Sequence, residues 1–161
     1  MVYINNCFKK DRPLIYFSPK GRPLNQDTIE KFSSTKGVSI ICGHFEGIDQ
    51  RVIDLHDIEE ISIGDYILSG GEIATIVFLD SLVRLLPDVL GNNNSKKIES
   101  FTDGLLEYPQ YTKPNEFKGM KIPDILLSGN HKAIKEWQEN QALSLTKLRR
   151  PDLIDKKKDK I

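Results

Sequence analysis

The chain has 161 residues, of which 39% are hydrophobic and 29% charged, with a formal net charge of +0. That length and balance suit one domain, or two small ones, with a buried core and a soluble surface. No run reaches the roughly 18 consecutive apolar residues of a membrane helix, MVYINNCFKKDRP at the start lacks the apolar centre of a secretion signal, and Cys7 and Cys42 form neither a zinc spacing nor a disulfide framework, so a cytoplasmic chain with reduced thiols and no membrane partner is expected.

In chain order, Leu14-Ile15-Tyr16-Phe17 is the first run of β-prone residues and is followed by Ser18-Pro19-Lys20-Gly21. This pattern predicts a short buried strand ending in a turn. Asn25 to Ser34 places Ile29 and Phe32 one helical turn apart, with Asn25 or Asp27 as the cap, and predicts a helix. Val38 to Cys42 is the second predicted strand and runs into Gly43-His44-Phe45-Glu46-Gly47. Asp49 to Leu55 fits a short helix. The third apolar run lies in SIGDYILSGGE, Ser62 to Glu72, where three glycines alternate with Ile63, Tyr66, Ile67 and Leu68.

Glu72 to Leu86 is apolar on more than one face, through Ile73, Ile76, Val77, Leu79, Leu82, Val83 and Leu86. It predicts a helix buried on most sides, against a sheet or another subunit, and stopped by Pro87. Alternating strands and helices point to an α/β fold with a parallel sheet. Gly91 to Lys97 has no core-forming residue and predicts a linker. Pro109, Pro114 and Pro123 argue against long helices between Phe101 and Leu127. Asn130 is placed to cap a last helix from His131 to Arg149, with Ile134, Trp137, Gln141, Leu145 and Leu148 inward, Lys132, Lys135, Glu136 and Glu139 outward, and Pro151 ending it.

The neutral total conceals a polarity. Residues 132–161 carry nine lysines and arginines against five acids, which leaves 14 basic and 18 acidic groups for the rest of the chain. A basic end on an acidic body suits a polyanionic partner.

In open parallel sheets, ligands sit beyond the carboxyl ends of the strands. Three loops rich in glycine, serine and proline are predicted to meet there, offering backbone amides without intervening side chains. Tyr16, Phe17, Phe45, Ile63 and Tyr66 could wall a flat ring such as adenine. The sequence contains neither G-x-G-x-x-G nor G-x-x-x-x-G-K-[ST], which counts against a generic dinucleotide or P-loop module.

CGHFEGIDQRVI (Cys42 to Ile53), SIGDYILSGGE (Ser62 to Glu72) and LLSGNH (Leu126 to His131), with FSPKGRPL, RLLPDVLGN, FTDGLLEYPQYTKP and LRRPDLI in support, closely resemble the bacterial tRNA (guanine-N1)-methyltransferases. These are knotted SPOUT-class enzymes that methylate the guanosine 3′-adjacent to the anticodon with S-adenosylmethionine. The resemblance runs from about Leu14 to Ile154. It implies a trefoil-knotted parallel sheet over residues 1–90, a linker at 91–100, a small helical tRNA-binding domain at 101–161, and a homodimer. By the same resemblance, Tyr16, Phe17, Ser18 and Pro19, then Gly43, Phe45, Glu46 and Gly47, then Ile63, Gly64, Asp65, Tyr66, Ile67, Leu68, Gly70 and Gly71 would hold the donor.

Arg84 would stabilise charge on the guanine oxygen, and Glu99, where the family usually has aspartate, would take the N1 proton. His131, Lys132, Arg149 and Arg150 would contact tRNA phosphates. By the same resemblance magnesium is a candidate ion, with no metal-binding residue assigned. His44, Phe45 and Lys20 stand where the family usually has arginine, tyrosine and glutamine. The chain is expected to begin late relative to the family, without its first strand and a glycine-rich loop. A non-catalytic module that binds donor or RNA is the alternative.

Overall fold

A computed structural model describes residues 11–44, 46–87, 89, 99–101 and 103–158. The chain divides into two compact units, Met1–Gly91 and Asn92–Ile161.

The first unit is built on a parallel sheet of order β2-β1-β3, formed by β1 (Leu14–Pro23), β2 (Ser39–Ile41) and β3 (Glu59–Ser62). Side chains alternate across the central strand. Ile15 and Phe17 enter one core with Ile61, with Ile29 and Phe32 of α1 (Gln26–Ser33), and with Ala74 and Phe78 of α3 (Gly71–Val83). Tyr16 enters the opposite core with Ile58 and with Ile53 of α2 (Gln50–Leu55). Phe78 is fully buried, with ring centroids 5.7 Å from Phe17 and 5.3 Å from Phe32. Of the two predicted cap candidates for α1 it is Asn25 that closes the helix, its Oδ1 accepting the Thr28 N–H at 3.0 Å, and Asp49 caps α2, its Oδ1 accepting the Arg51 N–H at 2.9 Å.

Three expectations need correction. The first strand does not stop at Phe17. Its register jumps, since Phe17 and Arg22 are both partners of Ile61, so residues 18–21 leave the ladder and the strand then resumes to Pro23. Gly21 makes the return feasible: a Cβ there would lie 2.4 Å from the Ile61 nitrogen. The third strand precedes the predicted stretch and ends at Ser62, because Glu59 and Glu60 disguise it; Glu59 pairs with Arg22 across the ladder. Finally, α3 is covered on one side only. Gly71, Ala74 and Phe78 are buried, whereas Ile73, Ile76, Val77, Leu79 and Val83 are between 40% and 60% exposed. The core of this chain reaches one face of the helix. α3 also ends at Val83, and turn bonds from Leu85 N–H to Leu82 and from Leu86 N–H to Val83 carry the chain to Pro87.

Among its described residues, the second unit is irregular until a hairpin, β4 (Glu116–Phe117) and β5 (Met120–Lys121), and the single-turn α4 (Asp124–Leu127). α5 spans His131–Arg149 as predicted, and Asn130 Oδ1 accepts the Ala133 N–H at 3.2 Å. Its inward positions include Ala142 and the fully buried Thr146, whose hydroxyl receives the Leu106 N–H at 2.9 Å and donates to the Ala142 carbonyl at 2.7 Å. Trp137 is half-buried, 6.3 Å from the Tyr111 ring. Leu148 is 80% exposed, contrary to its predicted inward position; two residues beyond Thr146, it points to the other side of the helix. Beyond Arg150 a further helix, α6 (Pro151–Lys158), follows, which the sequence reading did not predict. The predicted linker lies largely outside the described residues.

Phe78→Ala should lower unfolding stability by about 3–5 kcal/mol, as for other buried aromatics, and Asn25→Ala by only about 1 kcal/mol through loss of a cap. Urea denaturation of both variants checks the ratio.

Candidate functional site

The three loops meet around one cavity of about 320 Å³. From β1 and its excursion it takes Tyr16, Phe17, Ser18 and Pro19; from the second loop Gly43, Glu46 and Gly47; from the third Ile63, Gly64, Tyr66, Ile67, Leu68, Gly70 and Gly71. Asp65 is exposed and not among the lining residues, and Phe45 lies outside the described residues.

The loops are shaped by local bonds. Ser18 Oγ accepts the Lys20 N–H at 3.2 Å, which turns the excursion. Ser62 closes the end of β3, accepting the Gly64 N–H at 3.2 Å and donating to the Gly64 carbonyl at 3.1 Å. The Tyr66 hydroxyl donates to the Ile63 carbonyl at 3.2 Å, folding the third loop over itself. The second and third loops are bonded directly, with Gly71 N–H donating to the Gly43 carbonyl at 3.0 Å and an isolated bridge between His44 and Gly70. This contact demands bare backbone: a Cβ on Gly71 would lie 3.1 Å from Cys42 Cα and 3.2 Å from Gly43 N. Cys42 Sγ lies 3.3 Å from Thr75 Oγ1, so the second loop also reaches the first turn of α3.

Tyr16 forms the floor, its ring 2.6 Å from where a Cβ on Gly43 would stand. Burial, and secondarily the Glu60 carboxylate, push its phenol up from the ordinary value and keep it neutral. The cavity is thus a neutral aromatic floor under backbone-rich walls, while Tyr66, Ile67 and Leu68 of the third loop are 54%, 80% and 38% exposed. A ligand wedged against them would remove apolar surface from water.

Sequence reasoning did not place Lys20, His44, Ile48, Ile61, Ser62, Ser69 and Ala74 in the lining. His44 and Ser69 sit between predicted residues, so adjacency was the available signal. Ile48, Ile61 and Ala74 read only as core.

The remaining candidates lie elsewhere. Arg84 is exposed at the C-terminal cap of α3 in the first unit. Glu99 belongs to the second unit, beside a separate cavity of about 370 Å³ that Asp103, Leu106, Glu107 and Lys135 share. His131 and Lys132 open α5, exposed, while Arg149 closes it and Arg150 follows. At 1.5 Å rise per residue, the two ends are about 27 Å apart. They form two basic points, not one patch. The Arg150 guanidinium is held on Asp152 by bonds of 2.8 and 2.7 Å. Among the described residues, no group of three or more His, Cys, Asp or Glu could hold a metal, and no helix is long and apolar enough to cross a membrane.

The sequence profile of the family described as tRNA (Guanine-1)-methyltransferase TrmD matches residues 2–156. Among similar curated proteins, the tRNA (guanine-N(1)-)-methyltransferase of Bartonella tribocorum is 52% identical over 150 residues, covering 93% of this chain and 64% of that protein. The protein of the same name from Jannaschia sp. is 54% identical over 145 residues, 90% of this chain and 59% of its own length. That of Bartonella henselae is 56% identical over 150 residues, 93% and 64% respectively. The chain therefore spans only about three-fifths of these relatives, between 59% and 64%.

Gly71→Ala should displace the start of α3 from the second loop and lower stability by about 1–3 kcal/mol, the usual cost of forcing a methyl into packed structure. Thermal melts followed by circular dichroism read this directly.

Proposed function

This chain belongs to the tRNA (guanine-1)-methyltransferase family, and on that footing we propose that it takes part in methyl transfer from S-adenosylmethionine to N1 of the guanosine 3′-adjacent to the anticodon of tRNA. The observation that carries the proposal is the meeting of three motif loops, 17–20, 43–47 and 62–71, around one cavity.

The residues present suit the donor. A cavity of about 320 Å³ is within the range of ordinary ligand pockets, which is about 300–1,000 Å³. Tyr16 and Phe17, with the outward Ile67 and Leu68, offer apolar faces for a purine. Gly43, Gly64, Gly70 and Gly71 let main-chain groups approach it closely. When bound, S-adenosylmethionine supplies an electrophilic methyl group.

The chain's own residues supply the rest. Neutral guanine N1 carries a proton and attacks poorly, so a carboxylate must accept it as the new N–C bond forms. Glu99 is the proposed acceptor, one methylene longer than the usual aspartate. As N1 loses its proton, negative charge grows on the guanine oxygen, and Arg84 is the proposed cation that stabilises it. His131, Lys132, Arg149 and Arg150, at the two ends of α5, suit separate phosphates of an extended RNA, and such contacts position a substrate without reading sequence.

We further take the sheet to be the SPOUT-type knotted arrangement, with residues 1–90 as the donor domain, 91–100 as a linker and 101–161 as the tRNA-binding domain. The protein is proposed to act as a homodimer. The parallel order β2-β1-β3 is in keeping with the first point, and the exposed aliphatic face of α3 with the last.

Isothermal titration with S-adenosylmethionine and a methylation assay on tRNA test the proposal. Arg84→Ala and Glu99→Ala should each lower methyl transfer by about 100-fold or more while donor affinity changes little. Unchanged transfer in both variants removes the assigned roles. Donor binding without transfer in the unaltered chain leaves the non-catalytic module.

A further inference from the structure

Between Tyr111 and Ile122 the chain carries three lysines, Lys113, Lys118 and Lys121, against one acid, Glu116. The β4–β5 ladder sorts the residues of its hairpin. Phe117 and Met120 are direct partners, as are Glu116 and Lys121, so each pair shares one face and the two pairs take opposite faces. Lys121 Nζ lies 3.9 Å from Glu116 Oε2, which pairs the polar face with itself. The other face is an aromatic ring beside a thioether, 58% and 68% exposed.

The tip adds a cation to that face. Lys118 and Gly119 both have positive φ, 51° and 81°, as in the two-residue hairpin turn that favours asparagine and glycine. A lysine is uncommon in this region of backbone space. Here its side chain reaches back over its neighbour, with Nζ 5.5 Å from the centroid of the Phe117 ring. The Ile122 N–H donates to the Asn115 carbonyl at 3.0 Å and closes the base of the hairpin.

The size of the face decides its occupant. A stable protein interface takes about 800 Å² from each partner, over about 20–30 residues, and two side chains offer far less. A single nucleobase matches them. Bases stack on exposed aromatic rings whatever their sequence, and the adjoining phosphates call for cations. The ammonium over the ring does not bar a base: an exposed cation–π pair shifts an equilibrium about two- to fivefold, and a stacked base shifts it about 5- to 150-fold. The base therefore takes the ring, and the ammonium is released to a neighbouring phosphate.

We propose that the β4–β5 hairpin is a stacking site for an unpaired nucleobase of RNA, with Phe117 and Met120 as the platform and Lys118 as the phosphate contact. The proposal rests on the reading of the chain as a tRNA-binding protein, and it adds a site to the four residues at the ends of α5.

The full chain is titrated with two RNA probes, an anticodon stem-loop and a fully paired duplex of the same stem. Phe117→Leu, which keeps an apolar side chain and loses the ring, should weaken stem-loop binding about 5- to 150-fold and leave duplex binding unchanged. Phe117→Trp should restore the stem-loop affinity. Lys118→Ala should lower the slope of log affinity against log salt by about 0.7, the value for one phosphate of a single strand. Circular dichroism confirms that each variant is folded. Unchanged stem-loop affinity in Phe117→Leu, an equal loss on the duplex, or no recovery in Phe117→Trp overturns the stacking site and leaves the tRNA reading standing. A changed oligomeric state of Phe117→Leu in ultracentrifugation, with RNA affinity unchanged, overturns it in favour of a second copy of the chain. No binding of either RNA by the unaltered protein overturns both.

Discussion

The arrangement of the first unit depends on a single backbone contact, the 3.0 Å hydrogen bond from Gly71 N–H to the Gly43 carbonyl. It ties the loop after β2 to the loop after β3 across the end of the central strand. Because both partners are main-chain groups, no side chain stands between the loops, and the start of α3 is pinned to the same point. The helix then runs back over the sheet, so that Ala74 and Phe78 land on Ile15, Phe17 and Ile61. The packing that stabilises the unit and the opening that forms its cavity thus share one origin.

The second unit solves a different problem. Rich in proline, its described part before α5 holds only the short β4–β5 ladder and the single turn of α4. Thr146 supplies part of the answer, since its buried hydroxyl receives the Leu106 N–H and passes its own proton to the Ala142 carbonyl. A buried polar group costs little when its bonds are complete, and here it fastens an irregular segment to a helix.

Local signals in the sequence were enough for the elements whose cause is local. Asn25 and Asn130 mark helix starts through their own side chains, and α5 runs between the limits that Asn130 and Pro151 set. β3 was hidden because Glu59 and Glu60 make its first half polar, and only the neighbouring strand explains them. The excursion at 18–21 was equally hidden, since it exists only because Ile61 serves two partners on β1. α3 reads as apolar all round, and no periodicity says which side one chain can cover. The cavity lining was largely legible through its three motifs, yet the position of His44 depends on Glu72, 28 residues away. Lys20, Ile48 and Ala74 join the lining through tertiary geometry alone.

The outer side of α3 carries Ile73, Ile76, Val77, Leu79 and Val83 in open contact with water. Surface of this kind makes a protein's solution behaviour a matter of mass action. If copies of the chain cover it for one another, the folded population depends on how much protein is present. Dilution would then weaken the molecule without altering one residue, and crowding several copies together would act as a stabilising ligand does.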